Sequence, residues 1–151
     1  MESNLESIEK IISENKSSME KLLPYVDWLT ANVKKTVMNT YGEDGVAENS
    51  VQFPVYDSTL MSFVRTCNAT GKMDRNYVYT FSKNRLRTVQ DELRFIEKAQ
   101  MQQFQDLWNI LARYIIKGNT KGLVWAEGVT EGVYLKVILK MRDMINFWDR
   151  K

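Results

Sequence analysis

Apolar residues spaced three and four positions apart along most of the chain constrain its fold most. The clearest stripe lies between residues 101 and 115: Met101, Phe104, Leu107, Trp108, Leu111, Tyr114 and Ile115. This spacing places the apolar side chains on one face of an α-helix. Similar stripes over residues 4–14, 17–33, 57–68, 88–100 and 130–148 bring the number of predicted helices to about six. Since 151 residues fit one domain, we predict an all-α, single-domain bundle spanning residues 1–151.

Polar residues, proline and glycine predict where these helices begin and end. Ser3 and Ser17 each stand three residues before a glutamate, which is the capping-box pattern of a helix N-terminus. Pro24 falls within the second stripe, so that helix either kinks there or begins near the proline. Gly71 and Gly118 follow apolar stripes and are expected to end helices.

Three segments depart from helical spacing. Residues 41–54 are rich in glycine and in small polar side chains, which predicts a long loop. Residues 77–81 read Tyr-Val-Tyr-Thr-Phe, a β-branched and aromatic pattern typical of a strand. Residues 123–126 are the comparable second segment. These two segments are the candidates for a short two-stranded β-ribbon, which would need a helical face to pack on.

The chain contains no histidine and a single cysteine, Cys67. The first count excludes His general bases, Ser–His and Cys–His pairs and His metal ligands, and the second excludes internal disulfides and Cys-cluster metal sites. Cys67 lies in an apolar stretch and is expected to be a buried core residue. The glycine motifs of P-loops, dinucleotide-binding folds and hydrolase nucleophile elbows are missing too. We therefore assign no catalytic residue, no metal site and no cofactor.

Charge is divided unequally along the chain. Residues 1–60 carry 5 Lys or Arg against 10 Asp or Glu, whereas residues 61–151 carry 16 against 9. Six of the cations fall in the segment 65–87: Arg65, Lys72, Arg75, Lys83, Arg85 and Arg87. Aromatic residues stand among them, and cations beside aromatic rings suit phosphate binding and base stacking. The segment predicts a nucleic-acid interface, unless its aromatics are buried in a strand and its arginines form structural ion pairs.

A small anionic ligand is a further alternative for the same region. Residues 120–132 contain three glycines and lead into the last predicted helix. With residues 79–87 they form the pocket that we favour, in which Glu127 pairs with Arg85 or Arg87. Its predicted lining residues are Tyr79, Ser82, Asn84, Arg85, Arg87, Trp125 and Glu127. The structural alternative is a turn with a buried Trp125 and a carboxylate near a helix N-terminus.

The same two segments resemble a known family. The sequence Tyr-Val-Tyr-Thr-Phe-Ser-Lys-Asn-Arg at 77–85, with Lys-Gly at 121–122 and Trp-Ala-Glu-Gly-Val at 125–129, is similar to a family of short, uncharacterised bacterial and phage proteins, a domain of unknown function. The resemblance covers roughly residues 77–145, and the acidic N-terminal part carries no such motif. It implies a stand-alone bacterial or mobile-element protein and brings no catalytic residue.

These features favour a non-enzymatic binding or regulatory module that acts through protein contacts, with an unidentified partner or with a second copy as a homodimer. The alternatives are a nucleic-acid binder that uses residues 65–87, and a carboxylate-based enzyme or binder of a small anion, of which the enzyme has no positive support. The first residues lack the basic and apolar segments of a signal peptide, and no apolar run approaches the ~20 residues that span a bilayer. We expect a cytoplasmic protein without membrane contact.

Overall fold

The computed structural model describes residues 2–34, 38–40, 54–56 and 58–149, and these are predominantly helical. Eight α-helices lie in these ranges: α1 (Glu2–Glu20), α2 (Val26–Asn32), α3 (Ser58–Ala69), α4 (Tyr77–Lys83), α5 (Val89–Lys98), α6 (Phe104–Gly118), α7 (Leu123–Thr130) and α8 (Val133–Asp149). Short 3-10 helices at Leu23–Tyr25 and Met101–Gln103 lead into α2 and α6. Strands β1 (Met38–Thr40) and β2 (Pro54–Tyr56) pair antiparallel.

Helices α6 and α8 form the centre of the fold. Every residue of the stripe predicted over 101–115 is buried, and Ile110 and Ala112 outside that stripe are buried as well, so α6 is enclosed on most sides. Helix α8 packs against α1, α2, α5, α6 and α7. Its buried residues are Val133, Tyr134, Val137, Ile138, Met141 and Ile145.

The N-terminal helices have different boundaries from those predicted. The stripe over residues 4–14 belongs to one continuous helix that ends at Glu20, so the capping box assigned to Ser17 is wrong. Pro24 lies in the first turn of a 3-10 helix, and α2 begins two residues later, as expected for a helix that starts near the proline. The Trp108 indole N–H donates to the Asn15 side-chain carbonyl oxygen (2.7 Å) and joins α1 to α6.

The predicted ribbon of residues 77–81 with 123–126 is wrong, because the first segment lies in α4 and the second in α7. Tyr77 and Phe81 are one helical turn apart and pack edge to face, with ring centroids 6.3 Å apart. Thr80 is buried between α4 and α6. Tertiary packing has overridden the strand propensity of these residues. The additional helices α4 and α7 explain why the described residues contain eight α-helices instead of the predicted six.

Several local predictions are confirmed. Gly71 has φ +73° after α3, as a helix-ending glycine should. Cys67 is fully buried, as expected. The structure also shows a capping box of Thr88 and Asp91 at the start of α5. Gly118 ends α6 as expected, but as its last helical residue and without a positive φ; a Cβ there would overlap the Trp125 ring. The loop predicted over residues 41–54 lies outside the described residues, apart from Pro54 in β2.

Candidate functional site

A buried hydrogen-bond network fixes α4 on α6. The Thr80 hydroxyl donates to the Asp106 carboxylate (3.0 Å) and accepts from the Asn109 amide N–H (2.8 Å). The Lys83 ammonium lies 3.8 Å from the other Asp106 oxygen. These contacts hold the Thr80 side of α4 against the core, so the opposite side of the helix faces solvent.

The solvent-facing side of α4 carries apolar side chains beside cations. Val78 is 61% exposed and Tyr79 is 77% exposed. Ser82 and Lys83 are exposed one turn further along, and Arg75 is exposed two residues before α4 begins. We call these five residues the α4 surface. The strand predicted from the sequence would have buried Tyr79. In the helix the Tyr79 ring is exposed and accessible to a partner.

The six cations predicted for nucleic-acid binding are mostly exposed. Arg65, Arg75, Lys83, Arg85 and Arg87 are exposed, and Lys72 is half-buried. Among the described residues only Lys83 of this set forms an ion pair, at 3.8 Å from Asp106. The interpretation as structural ion pairs therefore does not account for the other five. They are not all on one element, since Arg65 lies on α3 and Arg85 and Arg87 lie between α4 and α5.

A basic pocket lies between the end of α4 and α5, with a volume of about 320 Å³. Its lining residues are Asn84, Arg85, Leu86, Asp91, Arg94, Phe95 and Lys98. Asn84 and Arg85 belong to the predicted anion site, whereas Arg94 and Lys98 were not predicted. Their four-residue spacing within the α5 stripe is the signal that could have found them, because it places both on one side of the helix.

The Asp91 carboxylate in this pocket already has hydrogen-bond and ion-pair partners within the chain. It accepts hydrogen bonds from the backbone N–H groups of Arg87 and Thr88, both at 3.1 Å, and lies 3.8 Å from the Arg94 guanidinium. The hydrogen bonds from Arg87 and Thr88 lower the pKa of Asp91. Asp91 is therefore a stable anion of the helix cap rather than a group that moves protons.

Trp125 and Glu127 of segment 120–132 do not form the predicted pocket with residues 79–87. The Trp125 indole N–H donates to the Ile115 carbonyl (2.9 Å) and its ring covers Gly118, so Trp125 is a packing residue between α6 and α7. Glu127 is exposed on α7, and no ion pair joins it to Arg85 or Arg87 within the described part of the chain. Neither Trp125 nor Glu127 lines the basic pocket.

One acidic residue is buried in the core. Glu92 on α5 is 4% exposed and accepts a hydrogen bond from the Tyr114 hydroxyl (2.7 Å). Burial raises the pKa of Glu92, and burial also raises the pKa of Tyr114. The Arg113 guanidinium lies over the Tyr114 ring, 5.0 Å from its centroid. Neither Glu92 nor Tyr114 lines the basic pocket or the groove described next, so this pair ties α5 to α6 within the core.

An apolar groove of about 400 Å³ runs between α5 and α8. Its apolar wall consists of Val33, Leu93, Ile96, Leu135 and Leu139, and its charged rim consists of Glu97, Glu131, Lys136, Lys140 and Asp143. The Lys140 ammonium donates to the Glu97 carbonyl across the groove (2.8 Å). The volume is within the range of about 300–1,000 Å³ that is usual for ligand pockets.

No group of three or more Cys, Asp or Glu within the described ranges is arranged to hold a metal ion. Of the helices that the structure describes, none is both long enough and apolar enough to cross a membrane. No family model matches the chain. No curated protein and no solved structure is detectably similar to it either. The arguments for function therefore rest on the geometry of these surfaces.

Proposed function

We propose that this chain is a non-enzymatic, cytoplasmic binding protein that binds single-stranded nucleic acid through the α4 surface. The observation that carries the proposal is the 77% exposure of Tyr79 among the exposed Arg75, Ser82 and Lys83. An exposed aromatic ring beside cations is the combination that proteins use to bind single strands. A single strand offers what this surface needs, since its unstacked bases can lie on the tyrosine while its phosphates approach the cations.

The cations beside the exposed aromatic ring favour a nucleic acid over an acidic protein as the partner. Arg75 has no carboxylate partner among the described residues, whereas Lys83 pairs with Asp106 at 3.8 Å and is still exposed. An uncompensated cation beside an aromatic face matches the alternation of phosphate and base along a strand. The bacterial or mobile-element origin implied by the sequence resemblance remains a prediction.

Fluorescence anisotropy with a labelled single-stranded DNA or RNA of mixed sequence tests this proposal. Tyr79→Ala should weaken binding about 5- to 150-fold, which corresponds to the ~1–3 kcal/mol of one base–aromatic stack. Tyr79→Phe keeps the ring and should bind like the wild type. Phe147→Ala is the matched control, because Phe147 is a 60% exposed aromatic residue on another helix, α8.

The salt dependence of the same binding tests the cations. Lys83→Gln should reduce the slope of log K against log salt by about 1, whereas Lys21→Gln at the end of α1 should leave it unchanged. Absence of binding at low salt up to about 100 μM protein, the weak end of non-specific binding, would overturn the proposal. Equal losses for Tyr79→Ala and Phe147→Ala would exclude the α4 surface as the site.

The apolar groove between α5 and α8 favours a second candidate function, which is binding through protein contacts. Half-buried Leu93, Leu135 and Leu139 leave an apolar wall that a helix of a partner or of a second copy would cover. Sedimentation velocity over a range of concentrations would detect a homodimer. Leu139→Asp should dissociate it while leaving nucleic-acid binding by the α4 surface unchanged. A monomer at every concentration would exclude self-association through the groove.

A further inference from the structure

The basic pocket is built around a residue in an unusual backbone conformation. Arg85 has φ +55° and follows the C-cap of α4. Its N–H donates to the Ser82 carbonyl (3.3 Å), and the N–H of Leu86 donates to the Phe81 carbonyl (2.9 Å). This pair of hydrogen bonds is a Schellman motif, in which the left-handed position is usually glycine. An arginine there gives up backbone stability that glycine would keep, which points to a role for its side chain.

Positive charge is in excess around this pocket. Arg85, Arg94 and Lys98 contribute three cations, and Asp91 is the single acid that lines it. Asp91 faces Arg94 with one carboxylate oxygen at 3.8 Å, and its other oxygen accepts the backbone N–H groups of the helix cap. Arg85 and Lys98 form no ion pair with any described residue. The lining therefore carries a net charge of two positive units that an anion would balance.

We propose that this pocket binds the phosphate group of a phosphomonoester. The group carries about −1.5 to −2 charges at neutral pH, which matches the net charge of the lining, and two guanidinium groups with one ammonium suit its several oxygens. Arginine also offers a planar fork that phosphate accepts in a bidentate manner. The half-buried Phe95 forms an apolar wall beside the cations, on which the organic part of the ligand would lie.

This site goes beyond the proposed function, because the basic pocket and the α4 surface share no residue. Nucleic-acid binding through Tyr79 can fail while phosphate still binds at Arg85, and the reverse also holds. Asn84 lines the pocket on the α4 side, and its side-chain amide N–H donates to the Thr80 carbonyl (3.0 Å). The pocket is thus supported on one side by the same residue that holds α4 on the core.

Titration with inorganic phosphate at constant ionic strength, followed by two-dimensional ¹H–¹⁵N NMR, tests the site. We expect saturable shifts at the backbone of Asn84 and Arg85 and at the side chain of Arg94. Arg94→Gln and Lys98→Gln should each weaken binding about tenfold or more, as expected for loss of a charged hydrogen bond. Lys21→Gln is the control and should bind like the wild type.

Phenyl phosphate then distinguishes a phosphomonoester from free phosphate. It should bind more tightly than inorganic phosphate and shift Phe95, because its ring contacts that side chain. Equal affinities would overturn the assignment to a phosphomonoester. Shifts that chloride reproduces at the same ionic strength, or an Arg94→Gln variant that titrates like the wild type, would overturn the site itself. Should Arg94→Gln fail to fold, Lys98→Gln decides, since Lys98 has no ion pair within the described residues.

Discussion

Tyr114 and Tyr134 lie side by side in the core, with ring centroids 5.8 Å apart and rings at 81°. Both rings are essentially inaccessible to water. The Tyr114 hydroxyl donates to Glu92 at 2.7 Å, whereas the Tyr134 hydroxyl has no hydrogen-bond partner among the described residues. Since the two side chains are otherwise matched, removing each hydroxyl in turn isolates the free energy of one hydrogen bond in this core.

The two substitutions should change stability in opposite directions. Tyr134→Phe removes a buried polar group whose desolvation was not compensated, a penalty of about 1–3 kcal/mol. A small void replaces the oxygen, so we expect a net gain of about 1 kcal/mol, or about 2–4 °C in Tm for a chain of this length. Tyr114→Phe removes a hydrogen bond to a buried carboxyl group and should cost about 2 kcal/mol, or about 4–8 °C.

Thermal unfolding followed by circular dichroism measures both changes. The single, fully buried Cys67 provides an independent measurement, because its thiol becomes reactive only when the core opens. Burial raises the pKa of this thiol, so the native protein should react slowly with a thiol reagent. If Tyr134→Phe lowers Tm as much as Tyr114→Phe does, the Tyr134 hydroxyl has a partner and the reasoning is refuted.

Three further changes test the packing, the titration and the pocket. Gly128→Ala should cost about 3 kcal/mol in denaturant unfolding, because a Cβ there overlaps the Tyr134 ring; an unchanged midpoint would contradict that close approach. Burial raises the pKa of Glu92, so its contribution to stability is full below the unfolded-state pKa of about 4.3 and is lost as pH rises through the native pKa. Subtracting the pH–stability profile of Glu92→Gln from that of the wild type should show this fall, and a flat difference would contradict it. Arg85→Gly should raise the free energy of unfolding by about 1 kcal/mol while weakening phosphate binding, and a loss of stability would contradict the left-handed strain at this position.

Helical spacing correctly predicted the helices that combine a long apolar stripe or a recognisable capping residue with dense packing. The stripe of α6 is buried over its whole length, and Thr88 caps α5 as its sequence indicates. The Ser17 cap failed for a physical reason, since apolar residues continue at helical spacing on both sides of it and packing joins them in one helix. Gly118 is a glycine because Trp125 packs on it, a reason that only the tertiary structure reveals.

The basic pocket was only half predictable. Asn84 and Arg85 stand in a segment whose charge is evident from the sequence, but Arg94 and Lys98 become part of the same site only when α5 folds back beside the end of α4. The Glu127 pairing failed because α7 packs on α6 and leaves Glu127 in solvent. Local sequence indicates which residues carry charge, whereas the packing of helices decides which charges meet.

The exposed Tyr79 shows how one assignment of secondary structure changes a functional argument. With a strand period of two residues, Tyr77, Tyr79 and Phe81 share one face, and burial of that face would leave only the cations in solvent. With 3.6 residues per turn, Tyr77 and Phe81 still share a face, but Tyr79 lies about 200° around the helix from Tyr77. The helix therefore leaves Tyr77 and Phe81 half-buried on one side and exposes Tyr79 beside Lys83. Residues 77–81, whose pattern predicted a buried strand, therefore form a helix that exposes an aromatic ring for binding.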